Sequence, residues 1–195
     1  MRLHIREFKM MNTWPRRFVQ KHLEWRTFQR FGLNPWQKEV LEIGCGSGYG
    51  ACLLLNSSPK DYVGIDLMPE QIALARQRGL KNASFLKMDA ADLNHFADES
   101  KDLIVIFGIL HHVPEWKKVI KECYRVLRRD GDFYVQEPCK RFLQIWDFFL
   151  RWHHPLDSCF SLKEFENQLV AEKFTILHRR NFAGMGLYRA HKKCK

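Results

Sequence analysis

The chain has 195 residues, enough for one domain with a substantial core, and carries a formal net charge of +10. Its six cysteines form no CxxC pair and show no metal-ligand spacing; with no secretory signal in view, they are expected to be reduced thiols of a cytoplasmic protein. The longest apolar run, Leu103 to Leu110, is too short for a bilayer, which argues against a transmembrane protein.

The first element, Trp14 to Phe31, mixes Phe18, Leu23, Trp25 and Phe28 with Arg16, Arg17, Lys21, Arg26 and Arg30. It is loosely amphipathic and reads as a covering helix. An apolar strand at 39–43 then runs into Gly44, Cys45, Gly46, Ser47 and Gly48, with Glu42 just before the first glycine. Glycine lets a ligand approach the backbone, and Glu42 is expected to set a carboxylate at the rim. Phosphate loops carry no acid aimed at an anion, so this loop suits a ligand with a cationic end. No Lys-Ser or Lys-Thr follows Gly48, which excludes a nucleoside-triphosphate loop. A dinucleotide reading from Gly46 to Ala51 fits the GxGxxA form and stays open at this point.

Residues 61–66 read as a second strand ending in Asp66, and Pro69 opens a helix over Glu70 to Arg78. A carboxylate at that strand end can accept hydrogen bonds from both hydroxyls of a ribose. A third strand at 83–88 ends in Asp89 and Ala90, where a carboxylate can accept from an adenine amino group. Three successive strand ends therefore address one nucleoside-bearing ligand.

On Glu42, Gly44, Gly46, Gly48, Asp66 and Asp89, the chain resembles the class I S-adenosylmethionine-dependent methyltransferases, in particular the small single-domain, type 11-like kind that act on metabolites. The resemblance runs from about Trp36 to the end. It extends to the fourth strand at 103–107, to the loop Gly108 to Pro114, and to Arg125–Asp132, which leads into a fifth strand at 132–137. At that turn the family has Lys-Pro-Gly-Gly where this chain has Arg129, Asp130, Gly131 and Asp132.

What the resemblance implies is an α/β, Rossmann-like, doubly wound sheet of seven strands, mostly parallel with the last strand antiparallel, and helices on both faces. S-adenosyl-L-methionine is the implied cofactor. Its implied contacts are Glu42, Gly44, Cys45, Gly46, Gly48, Asp66, Asp89 and Ala90, with Leu67 and Met68 against the adenine or in the core. Phe107 either lines the pocket or finishes its strand. His111, with His112 second, is the implied general base for a hydroxyl or amine acceptor.

Beyond the fifth strand, Pro114 having opened a helix striped with Trp116, Val119, Ile120, Cys123 and Leu127, the segment 139–160 is crowded with Phe142, Ile145, Trp146, Phe148, Phe149, Leu150 and Trp152. Ser161 with Glu164 forms a capping box, and strands follow at 173–178 and 185–190. The chain thus divides into a covering region at 1–36, a cofactor core at 37–138, an aromatic lid-like insertion at 139–160 and a terminal helix with a strand pair at 161–195. The insertion points to an apolar, aromatic or lipid-like small-molecule acceptor.

The positive charge clusters at Arg16–Arg30, Lys117–Arg129 and Arg179–Lys193. It fits a solvated basic surface or peripheral contact with an anionic membrane, and leaves nucleic acid as a minor alternative. Oligomeric state is not encoded in any motif. A cofactor-binding protein without turnover, and a nicotinamide-dependent reductase, are the competing classes.

Overall fold

The computed structural model describes Met10, residues 12–150 and residues 158–193; of 148–150 only the backbone is considered. The aromatic side chains at 148–150, Trp152 and Cys194 fall outside the described residues. Helix α1 (Trp14–Val19), a π-helical stretch (Gln20–Trp25) and α2 (Arg26–Arg30) follow one another without a break. Then come β1 (Glu39–Ile43), α3 (Tyr49–Leu55), β2 (Asp61–Asp66), α4 (Pro69–Gln77), β3 (Ser84–Lys87) and β4 (Lys101–Phe107). A 3-10 turn (Leu110–His112), α5 (Trp116–Val126), β5 (Leu127–Pro138), α6 (Lys140–Leu150), α7 (Leu162–Ala171), β6 (Thr175–Phe182) and β7 (Met185–His191) complete the order.

The seven strands form one sheet in the order β3-β2-β1-β4-β5-β7-β6. The first five are parallel, and β7 runs antiparallel to both β5 and β6. This is the seven-stranded Rossmann-like sheet that the resemblance implies. Both faces are covered, so the central strands bury apolar residues on both sides. Val40, Leu103, Val105 and Tyr134 pack on one face with Trp25, Phe28, Ala51 and Ile72. Leu41, Ile43, Ile104, Ile106 and Phe133 pack on the other with Val119, Ile120, Phe165 and Leu169. The capping box is formed: Ser161 Oγ accepts from Glu164 N at 3.1 Å, and Glu164 Oε2 accepts from Ser161 N at 2.7 Å.

Two local features depart from expectation. The helix expected from Pro114 begins at Trp116. The loosely amphipathic N-terminal run owes its blurred period to the π-helical stretch, whose wider turn shifts the phase of the buried face and turns Glu24 inward to 2 % exposure. The altered turn falls within β5, where the register with β4 shifts, and is accommodated without strain on a bulky residue: Asp130 takes φ of 58°, a left-handed conformation that Asp tolerates better than most. Asp132, where the family has glycine, accepts from Arg189 Nε and Nη2, both at 3.1 Å, and its Oδ1 lies 3.1 Å from His191 Nδ1, so charge ties β5 to β7.

The strand order reverses between β1 and β4, because β1 leads to β2 on one side while β4 lies on the other. Ligands in open α/β sheets bind at such a reversal, outside the carboxyl ends of the strands. Here Gly44 lies against the Ile109 side chain: it has φ of 71°, and a Cβ on it would lie 2.5 Å from that side chain. Gly50, in the first turn of α3, sits over the Glu42 carboxylate, and a Cβ there would collide with Oε1. Gly50→Ala is therefore expected to destabilise the fold by about 1–3 kcal/mol through overpacking, read by urea denaturation. An unchanged midpoint would show that Glu42 has room to move.

Candidate active site

Two cavities open above the carboxyl ends of the parallel strands. The first, of about 180 Å³, is lined by Gly44, Ile65, Asp66, Leu67, Met68, Met88, Asp89, Ala90, Ala91 and the loop from Gly108 to Glu115 without Leu110 and His111. Asp66 ends β2 with both oxygens engaged: Oδ2 accepts from Gly46 N at 3.0 Å and Oδ1 from Met68 N at 2.9 Å. Each oxygen keeps a further lone pair for a ligand hydroxyl. Burial raises its pKa, and the N–H groups of Met68, Gly46 and Leu67 oppose that rise. Asp89 is exposed at the far wall, where Oδ1 accepts from Ala91 N at 2.9 Å in an Asx turn.

Glu42 does not stand at the rim. It is 1 % exposed, lies under α3, lines neither cavity and accepts from the Tyr62 hydroxyl at 2.5 Å. Alternation along β1 explains the correction: Glu42 shares the face of Val40, which packs against the helices rather than opening to the loop. Burial pushes its carboxyl up to about 8, against the hydrogen bond from Tyr62, and the Asp66 charge adds to the rise. Cys45 is likewise core, 4 % exposed, and Phe107 finishes its strand with its ring centroid 5.5 Å from that of Phe28. Gly46 and Gly48 shape the loop without lining the cavity.

The loop uses its own N–H groups. Gly44 N and Cys45 N donate to Ile65 O at 2.8 and 2.9 Å, Gly46 N to Asp66, and Gly48 N to Cys45 O at 2.9 Å. A pyrophosphate cradle needs such donors uncommitted, which disfavours the dinucleotide reading. A Cβ on Gly46 would meet nothing within 4 Å, so the loop has an open face. Apolar walls at Ile65, Leu67, Met68 and Met88 between two carboxylates fit a nucleoside whose ribose and base meet Asp66 and Asp89.

The second cavity, of about 340 Å³, is largely apolar, with Val19, Pro138, Phe142, Leu143, Trp146 and Met185 around Arg16, Glu24, His111, His112 and Gln136. Gly108 and His112 line both cavities and form their common wall. His111 is 6 % exposed and belongs to the second cavity alone. Its Nδ1 lies 2.8 Å from Oε2 of Glu137, a fully buried residue at the end of β5. Glu137 Oε1 also accepts from Ile109 N at 2.9 Å and Leu110 N at 2.8 Å. Burial lifts Glu137 to about 7, and those N–H groups restrain the rise. The His111 carbonyl accepts from Ser158 Oγ at 2.6 Å, which fixes the backbone on the other side. Opposite, Arg16 Nη1 pairs with Glu24 Oε1 at 3.0 Å.

Sequence reasoning missed Glu137, Glu24 and Arg16 as site residues. Only Glu137 left a signal, as an acid closing an otherwise apolar strand. Among the described residues no His, Cys, Asp or Glu cluster suits a metal ion, the cysteines form no disulfide, and no helix is long and apolar enough to cross a membrane.

With this geometry established, comparisons place the chain. Residues 41–135 match the family model for a methyltransferase domain. The Mycobacterium tuberculosis phthiotriol/phenolphthiotriol dimycocerosates methyltransferase is 38 % identical over 98 residues, 49 % of this chain and 36 % of that protein. The Mycobacterium leprae enzyme of the same name is 36 % identical over 96 residues, 48 % and 35 % of the two chains. This chain spans less than half the length of the curated relatives it matches. An Aquifex aeolicus S-adenosylmethionine-dependent methyltransferase superposes with a TM-score of 0.77 over 98 % of this chain and 100 % of that one, at 16 % identity, which speaks to the fold. A Methanosarcina mazei S-adenosylmethionine-dependent methyltransferase gives 0.67 at 25 % identity over 86 % and 98 %. The fold is that of the class I methyltransferases, and over residues 41–135 the chain is similar to the methyltransferase-domain family.

The raised Glu42 pKa has a measurable consequence. Between its unfolded value of 4.5 and about 8, the unfolded chain has lost a proton that the folded chain retains. Stability must therefore fall as pH rises across that window. Glu137 contributes in the same direction only to about 7, so the Glu42 contribution outlasts it up to about 8. Urea titrations across pH should show Glu42→Gln flattening that upper part of the curve; an unchanged slope would mean that Glu42 is ionised in the native protein.

Proposed function

We propose that the chain transfers a methyl group from S-adenosylmethionine to an oxygen or nitrogen of a small apolar or lipid-like acceptor held in the second cavity. The observation that carries this reading is the shared wall of Gly108 and His112, which sets a carboxylate-flanked cavity beside an apolar one. The loop around Gly44 with Asp66, Leu67, Met68, Asp89 and Ala90 would hold the cofactor, whose sulfonium supplies a methyl group already activated for in-line displacement. Glu42, Cys45, Gly46 and Gly48 act through the shape of the loop. The protein's task is then to align the acceptor and exclude water, which the Phe142, Leu143 and Trp146 walls serve.

The acceptor proton is assigned to His111. With Glu137 ionised, its Oε2 accepts the Nδ1–H, and the lone pair is on Nε2, at the edge of the ring turned away from Glu137. With Glu137 protonated, that tautomer is lost. Activity should therefore rise with pH through the region of about 7 at which Glu137 ionises. The M. tuberculosis relative, named for phthiotriol and phenolphthiotriol dimycocerosates, supports an apolar acceptor.

His111→Ala is expected to lower kcat by about 10²–10⁴-fold with cofactor affinity retained. Glu137→Gln should lower kcat less and remove the acidic limb of the pH profile. Wild-type turnover in His111→Ala, or a limb unchanged in Glu137→Gln, contradicts the assignment.

A further inference from the structure

The two helices that wall the second cavity carry apolar side chains out into solvent. Trp14, Phe18 and Val19 on the N-terminal helical run are 73 %, 49 % and 38 % exposed, and Ile145 and Trp146 on α6 are 51 % and 44 % exposed. Val19 and Trp146 also line the cavity, so its apolar lining reaches the surface at both helices. Trp14 and Phe18, four residues apart, lie against each other with ring centroids 5.4 Å apart and planes tilted by 37°. Single exposed apolar residues are ordinary; a contiguous patch at the mouth of an apolar chamber marks an interaction surface.

The charge around the patch selects the partner. Residues 14–30 hold five basic side chains against one acid, Glu24, and that acid is buried and paired with Arg16. Lys21, three residues beyond Phe18, is exposed, as is Arg141 at the start of α6. Aromatic rings flanked by lysine and arginine suit an anionic lipid headgroup layer, with rings at the acyl boundary and cations at the phosphates. A nucleic-acid groove would pair its basic residues with a polar channel, whereas this patch leads into an apolar one.

We propose that the face formed by Trp14, Phe18, Lys21, Arg141, Ile145 and Trp146 docks on an anionic bilayer, so that an apolar acceptor passes from the membrane into the second cavity without crossing water. This rests on the reading of that cavity as the acceptor site and adds the source from which the acceptor comes.

The test is co-sedimentation of the full chain with phosphatidylcholine vesicles, with and without phosphatidylglycerol, at low and high salt. Calorimetric S-adenosylmethionine binding is measured on the same samples. Binding should require the anionic lipid and weaken with salt. It should fall by more than about tenfold both in Lys21→Glu with Arg141→Glu and in Trp14→Ser with Phe18→Ser. None of these four side chains lines either cavity, so cofactor affinity should be unchanged. No vesicle binding by the wild type, equal binding to neutral vesicles, or binding unaffected by both pairs overturns the proposal. Binding of single-stranded RNA through Lys21 and Arg141 in place of vesicles overturns it as well. Loss of cofactor binding in the wild type would be a separate failure, of the methyltransferase reading itself.

Discussion

The close approach of Gly44 to Ile109 is the constraint on which the site depends. Strand order reverses between β1 and β4, which brings the loop after each strand to the same place above the sheet. A side chain at position 44 would collide with Ile109, and would push the 108–115 loop away from the cavity it walls. That loop then descends on its other side into the second cavity, held by Glu137 through the backbone N–H groups of Ile109 and Leu110. This one packed contact therefore sets both the depth of the first cavity and the position of the loop that carries His111. The sheet supplies rigidity, and the loops supply the chemistry.

The second theme is buried carboxylate. Glu42, Glu24 and Glu137 are almost fully inaccessible, and Asp66 is half-buried; burial raises the pKa of all four. Leaving such groups in water would be cheaper for the fold, because an isolated buried charge is expensive. Each is instead held by a distinct partner: the Tyr62 hydroxyl, the Arg16 guanidinium, backbone N–H groups, or a combination with His111. They also couple, since the Asp66 charge raises Glu42 and the Glu137 charge raises Glu24.

Much of the fold was legible because the strands are short apolar runs separated by glycine and proline punctuation, and a doubly covered parallel sheet has few other solutions. The capping box at Ser161 and Glu164 was readable for the same reason: it is local in sequence. Glu42 was misjudged because its position in the motif says nothing about which face of β1 it occupies; alternation with Val40 decides that. The role of Glu137 was not legible from its place as an acid closing an apolar strand, because its partners, 26 to 28 residues earlier, meet it only once β4 and β5 pair. The N-terminal run looked poorly amphipathic for a physical reason, the π-helical stretch, which breaks the 3.6-residue period used to read it.

The most direct measurement is calorimetric titration of the full chain with S-adenosylmethionine and S-adenosylhomocysteine, with NAD and Asp66→Ala as controls. The account predicts one site for either sulfur nucleoside, binding lost or severely weakened when Asp66 is removed, and no heat from NAD. Binding of NAD in their place, or wild-type affinity in Asp66→Ala, would contradict the assignment of the Gly44 and Asp66 cavity to a methyl donor.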